Sequence, residues 1–134
     1  MSELRGLLER RQVAAETIEA LLADLLEAGL LDDARYARIF AEDRRLLDRF
    51  GAERIERDLI RRGVDADLVA AALVDRPPEA ELAAAASLLA ERFATLADDR
   101  DRDRAWRLLV RRGYPPELAY EAVRAREREL SGER

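Results

Sequence analysis

Three segments of this 134-residue chain align without gaps, and that constrains its fold more than any other feature. Leu8-Glu9-Arg10-Arg11-Gln12-Val13, Leu59-Ile60-Arg61-Arg62-Gly63-Val64 and Leu109-Val110-Arg111-Arg112-Gly113-Tyr114 match position by position, at spacings of 51 and 50 residues. Downstream, Ile18, Val69 and Ala119 correspond, and then Leu22, Leu73 and Val123. A fixed period near 50 marks an array of one repeated supersecondary unit. Each unit reads as a long helix, a helix ending in Arg-Arg-Gly (Arg-Arg-Gln in the first), and a third helix. The sequence therefore predicts an all-α protein of tandem three-helix repeats in an elongated, curved array, because each repeat buries its neighbour's face. The first repeat is expected to lack its first helix. Residues 1–30 then form a partial repeat of two helices, 31–76 and 77–130 form full three-helix repeats, and 131–134 form a frayed tail.

The helix boundaries follow from capping and periodicity. Ser2 is expected to cap a first helix over 2–12 with a Leu4, Leu7, Leu8 stripe. A second helix starts at Ala14 or Ala15 and carries Ile18, Leu21, Leu22, Leu25 and Leu26; Gly29 ends it as a left-handed stop, and Leu30 and Leu31 bury at the turn. Asp32 or Asp33 caps a helix of about 33–48, which breaks at Phe50-Gly51. Helices of about 52–62 and 66–74 follow, the second capped by Asp65. Pro77-Pro78 restart the chain into a helix of about 79–97. Asp99 or Asp101 caps a helix of about 102–112 that stops at Gly113, and Pro115-Pro116 open the last, about 116–129.

Composition removes several functions. With no Cys and no His, most metal and nucleophile chemistry is excluded, and no Gly-rich phosphate loop or catalytic triad occurs. No cofactor is expected, and an enzyme is not. The start lacks a signal-peptide core and no apolar run reaches a membrane span, so the sequence predicts a soluble cytoplasmic protein without membrane contact, and a monomer. Asp32-Asp33 has no companion ligands and reads as a cap.

Every one of the 24 cations is Arg, so each cationic position offers a bidentate fork to phosphate or carboxylate. Net charge is −5, which argues against coating duplex DNA by bulk charge. The charge is banded, however. Residues 13–33 carry six acids and no cation; residues 75–99 carry six acids and two Arg; residues 100–112 carry six Arg and two Asp. The bands read either as solvated faces with i, i+4 pairs such as Glu53–Arg57 and Asp58–Arg62, or as a surface matched to phosphates and a charged groove. Arg44, Arg45, Arg49, Arg54, Arg61, Arg104, Arg107 and Arg111 are the candidate partner- and DNA-binding residues. Arg44, Arg45, Arg49, Arg104 and Arg107 have the fewest intrahelical partners. The repeated Arg pairs also favour the negative end of the helix dipole. Tyr36, Phe40, Phe50, Phe93 and Trp106 have the faces to stack bases, but at helical spacing they read as core; Tyr114 reads as a staple onto its own repeat.

The run Gly29-Leu30-Leu31-Asp32-Asp33 followed by Arg35-Tyr36-Ala37, the run from Gly51 through Ile55, Leu59 and Arg62 to Gly63-Val64, and the threefold repeat together resemble the RecX family, regulators of the RecA recombinase. The resemblance covers nearly the whole chain. It implies binding to the RecA–DNA filament and inhibition of RecA's ATP hydrolysis, strand exchange and coprotease activity, without catalysis by the regulator. It also implies a helix ahead of Ser2-Glu3-Leu4. Nucleic acid is expected to be contacted within the filament and only weakly by the acidic chain alone. The alternatives are a helix-turn-helix transcription regulator, disfavoured by third helices that start apolar or acidic, and a helical scaffold for another protein.

Overall fold

The computed structural model describes residues 2–132, with the side chains of residues 2–8 left aside. The side chains of the expected Ser2 cap and of the Leu4, Leu7, Leu8 stripe, and the last residues of the tail, lie outside what is described. The fold is all-α: α1 (Ser2–Asp43), α2 (Ala52–Arg61), α3 (Ala66–Leu73), α4 (Pro78–Arg92), α5 (Asp99–Arg112) and α6 (Pro116–Leu130). A five-residue π-helical turn, Arg44–Asp48, extends α1 and ends at Arg49 in the left-handed region (φ 59°).

Two three-helix units repeat the same packing. The C-terminal part of α1 packs with α2 and α3 around Ala37, Ala41, Ile55, Leu59, Val64, Val69 and Ala72. α4, α5 and α6 enclose Ala85, Leu88, Leu89, Ala105, Leu109, Tyr114, Ala119, Ala122 and Val123. Ile55, Leu59, Val64, Val69 and Ala72 each lie 50 residues before a buried counterpart: Ala105, Leu109, Tyr114, Ala119 and Ala122. The helix stops repeat as well. Val64 N–H reaches Leu59 C=O at 3.1 Å and Gly63 N–H reaches Ile60 C=O at 2.9 Å; Tyr114 and Gly113 make the same bonds to Leu109 (3.0 Å) and Val110 (3.1 Å). Both glycines have positive φ, 90° and 98°, which completes the six-to-one and five-to-two hydrogen bonds of a left-handed helix end.

The first 43 residues depart from expectation. The three helices expected over about 2–12, 14–28 and 33–48, with a stop at Gly29 and a fresh cap at Asp32 or Asp33, are replaced by one helix of 42 residues, about 63 Å long, that runs to Asp43. Passing through Gly29 costs about 1 kcal/mol relative to Ala, whereas stopping there would orphan backbone groups at two helix ends. The Ala-, Leu- and Glu-rich flanks favour propagation. Arg10-Arg11 likewise lies inside the helix, since Gln12 stands where the other units have their glycine. Leu30 and Leu31 do not bury at a turn; together with Val13, Ile18, Leu21, Leu22, Leu25 and Leu26 they are exposed. Further on, Asp98 caps α5 by accepting the Asp101 N–H at 2.9 Å, in place of Asp99 or Asp101. α4 ends at Arg92, before the expected 97, because Phe93 turns extended.

Candidate nucleic-acid and partner interface

The arginines divide by what they touch, and the joint between the two units accounts for the first group. There α2 starts where α5 ends. The Gly51 N–H donates to Arg112 C=O at 2.7 Å and the Glu53 N–H to Gly113 C=O at 3.0 Å. The orphan donors of one helix thus satisfy the orphan acceptors of another, positive dipole end to negative. The approach is close enough that a Cβ on Gly51 would lie 2.6 Å from the Gly113 carbonyl carbon. Beside it sits a buried polar chain. Glu81, 5% exposed, accepts from Arg76 Nε at 2.9 Å and from Ala52 N–H at 3.0 Å. Tyr114, fully buried, accepts from Arg76 at 3.4 Å and donates its hydroxyl to Arg49 C=O at 3.1 Å. Tyr114 therefore staples the two units together as well as its own.

Arg44, Arg45 and Arg49 belong to this joint and its surroundings. Arg44 pairs with Asp48 at 2.6 Å and lies over Phe40. Arg45, its side chain 10% exposed, pairs with Asp75 at 3.1 Å and donates to Leu73 C=O. Arg49 pairs with Glu91 and donates to Ala84 C=O. Two of the three find their carboxylates in distant sequence, Arg45 in Asp75 and Arg49 in Glu91, while Arg44 pairs within its own helical stretch. Arg54 stacks on Phe50 with its guanidinium 3.9 Å from the ring centroid and donates to Arg111 C=O at 3.1 Å. The expected Glu53–Arg57 and Asp58–Arg62 pairs are not made: Asp58 faces Arg54 at 4.0 Å, and Arg62 donates to the Tyr36 hydroxyl at 3.0 Å and covers Phe40. Of the aromatics read as core, Phe40, Phe50, Phe93 and Trp106 are half-buried against the two clusters, while Tyr36 is exposed.

The second group faces outward. Arg104, Arg107 and Arg111, spaced three and four apart, form one ridge along α5. With Arg92, Phe93 and Leu108 they line a cleft of about 400 Å³. Arg104 lies 5.7 Å from the Phe93 ring centroid and 3.6 Å from Asp101; Arg107 pairs with Asp103 at 3.0 Å; both side chains are 66% exposed. Such exposed pairs contribute little and are readily exchanged for another anion. Arg92 and Arg111 have no carboxylate within 4.0 Å among the described residues. Nearby, burial first, and then repulsion from Arg92 and Arg54, opposed by Asp48, lowers the pKa of Arg112. Arg92 escaped the sequence reading because it lies in an acidic band; its one signal was its place beside Phe93 at a helix end. The ridge has a copy on α2, where Arg54, Arg57 and Arg61 precede Arg104, Arg107 and Arg111 by 50 residues, and Arg57 and Arg61 are exposed. Three-centred cationic ridges of this kind suit phosphate oxygens or an acidic groove.

The fold is an all-α repeat that presents arginines outward, and comparison with known proteins specifies its family. Residues 32–73 match the family model described as RecX, second three-helix domain. The chain is similar to the regulatory protein RecX of Deinococcus radiodurans, 40% identical over 124 residues, which cover 92% of this chain and 59% of that protein. It is 33% identical over 134 residues to the regulatory protein RecX of Amycolatopsis mediterranei (98% of this chain, 77% of that protein) and 36% identical over 126 residues to that of Thermobifida fusca (92% and 68%). In fold it is similar to the crystal structure of RecX from Lactobacillus salivarius, with a TM-score of 0.65 at 17% identity, over 78% of this chain and 70% of that one. The chain belongs to the RecX family of regulatory proteins. No helix of the described residues is long and apolar enough to cross a membrane.

Proposed function

We propose that this chain is a cytoplasmic regulator that docks on the RecA–DNA filament and damps its ATP hydrolysis, strand exchange and coprotease activity, by binding and without catalysis of its own. The observation that carries the reading is the arginine cleft of Arg92, Arg104, Arg107 and Arg111 on a chain whose net charge is −5. Charge so concentrated steers one face toward polyanion and leaves the rest of the surface without general DNA affinity. Arg54 and Arg61, on the equivalent ridge of α2, extend the same interface, and two ridges 50 residues apart suit a repeating target such as a filament. Arg49 serves it indirectly, by tying the end of the first unit to Glu91 and Ala84 C=O of α4, while Arg44 and Arg45 brace the first unit itself.

The test is ATP hydrolysis by RecA on single-stranded DNA. Adding the chain slows hydrolysis, and the double reversal Arg104→Glu with Arg107→Glu relieves the effect. Unchanged hydrolysis at micromolar excess of the wild-type chain would overturn the reading.

A further inference from the structure

The opposite side of α5 carries a second, chemically different groove. Arg102 and Trp106 from α5 face Tyr120, Val123, Arg124 and Glu127 from α6 across a cleft of about 320 Å³. On α6 these positions fall at i, i+3, i+4 and i+7, so they form one continuous wall. The floor is apolar, with the buried Val123 beneath. Trp106 is fixed in place, since its indole N–H donates to Pro116 C=O at 3.1 Å, and its remaining capacity is its ring face. Tyr120 is exposed on the other wall, and its hydroxyl accepts from Arg124 at 3.0 Å. Two aromatics and two arginines line this groove, against one ring and four arginines in the α4–α5 cleft.

A further observation points to what enters. The Oε1 of Glu127 is buried and accepts no hydrogen bond; Arg102 Nε, at 3.8 Å, is too far for one, and that guanidinium also pairs with Asp99. The other carboxylate of the groove, Asp103, pairs with Arg107. The Glu127 side chain is 28% exposed at the groove and its contact with Arg102 is long, so its carboxylate can exchange that contact for a closer donor. We propose that this groove takes an unpaired nucleobase of single-stranded DNA, stacked on Trp106 and Tyr120, with a base N–H donating to Glu127. Guanine fits best, because its N1–H and 2-amino group offer adjacent donors to a carboxylate. The inference deepens the proposed function and rests on its reading that nucleic acid is contacted; α5 then presents phosphate contacts on one side and a base contact on the other, the combination that single-strand binders use.

Trp106 is the only tryptophan, so its emission reports the groove directly. The probes are three single strands of about 12 nucleotides, within the range one binding module covers: alternating dG/dT, all dT, and an abasic strand of equal phosphate count. At low salt both base-bearing strands quench Trp106, dG/dT at lower concentration, and the abasic strand does not. Tyr120→Ala, with helical content checked by circular dichroism, weakens quenching by about tenfold. Glu127→Gln abolishes the preference for dG/dT and retains quenching. Equal quenching by the abasic strand, or no quenching by any strand, overturns the inference. The two readings separate cleanly: Tyr120→Ala leaves the arginine cleft intact, so persistent slowing of RecA hydrolysis without quenching sinks the base pocket alone. Quenching without slowing sinks the filament reading alone.

Discussion

The Tyr114 hydroxyl donates to the Arg49 carbonyl across 65 residues of sequence, and this bond joins the core of one three-helix unit to the backbone of the other. Val64, its counterpart in the preceding unit, has no polar end and makes no such link. Tyr114→Phe keeps the ring and removes the donor, leaving a part-buried carbonyl and the Arg76 guanidinium short of a partner. The expected loss is about 1–2 kcal/mol in urea unfolding.

The same phenol makes stability fall in alkali. Burial, opposed in part by Arg76, raises its pKa above the ordinary value of 10.0. The folded state then keeps a proton that the unfolded state releases, so the contribution is complete below about pH 10 and is lost as pH rises through the folded value. Urea midpoints should drop above pH 10, and Tyr114→Phe should flatten that drop relative to wild type.

Glu81 concentrates three roles in one carboxylate: partner of Arg76, acceptor for the Ala52 N–H, and neighbour of Tyr114 through Arg76. Glu81→Ala leaves the Arg76 guanidinium, 15% exposed, without its charge partner and α2 without its first acceptor. Breaking a buried pair from one side costs about 3–5 kcal/mol. Differential scanning calorimetry should show a lowered transition, and the split of one transition into two would mark the units uncoupling.

Gly63 and Gly113 stand at equivalent helix ends, and the repeat supplies its own control. Alanine at either position is held at positive φ and costs about 1–2 kcal/mol for the left-handed backbone. At Gly63 the added Cβ meets nothing, whereas at Gly113 it overlaps the backbone and Cβ of Arg54. Gly113→Ala should therefore destabilise more than Gly63→Ala under the same denaturant titration, and the excess measures how tightly α2 seats on α5.

Salt dependence separates the outward ridge from the joint. Replacing Arg107 with Gln should reduce the slope of log affinity against log salt for the filament by about 1 and leave the unfolding midpoint within about 0.5 kcal/mol. Arg45→Gln should do the reverse, since its partners Asp75 and Leu73 C=O are internal.

What the sequence revealed, and what it hid, turns on whether a local signal is backed by burial. Gly63 and Gly29 are the same residue type after similar apolar stripes. After Gly63, Val64 enters the core and Asp65 caps α3 by accepting the Asp67 N–H; after Gly29, Leu30 and Leu31 meet no core and the helix runs on. The period of 3.6 therefore located α2, α3, α5 and α6 and most of their inward faces, because packing agrees with propensity there; Ile60, expected inward beside Ile55 and Leu59, is exposed instead. Counting near-sequence partners singled out Arg44, Arg45, Arg49, Arg104 and Arg107, yet Arg44, Arg104 and Arg107 pair with Asp48, Asp101 and Asp103 nearby, and the carboxylates of Arg45 and Arg49 lie 30 and 42 residues away. No one-dimensional pattern carries a contact of that kind. Arg92 was hidden for a related reason: its charge neighbours in space belong to α5, while its neighbours in sequence are acidic.

Gly29→Ala decides how the long helix is built. In a continuous α1 the glycine sits in the helix interior with nothing within 4 Å of an added Cβ. Alanine then relieves the entropic cost of glycine and stabilises the helix by about 0.5–1 kcal/mol. Were Gly29 instead a left-handed stop, alanine would be strained there by about 1–2 kcal/mol and the same substitution would destabilise. The sign of the change, read from the helical circular dichroism melt, distinguishes the two. The expected outcome is a higher midpoint with undiminished ellipticity. It would carry a functional consequence, because a rigid α1 of 42 residues holds its exposed Leu and Ile face and its acidic band at a fixed angle to the arginine ridges.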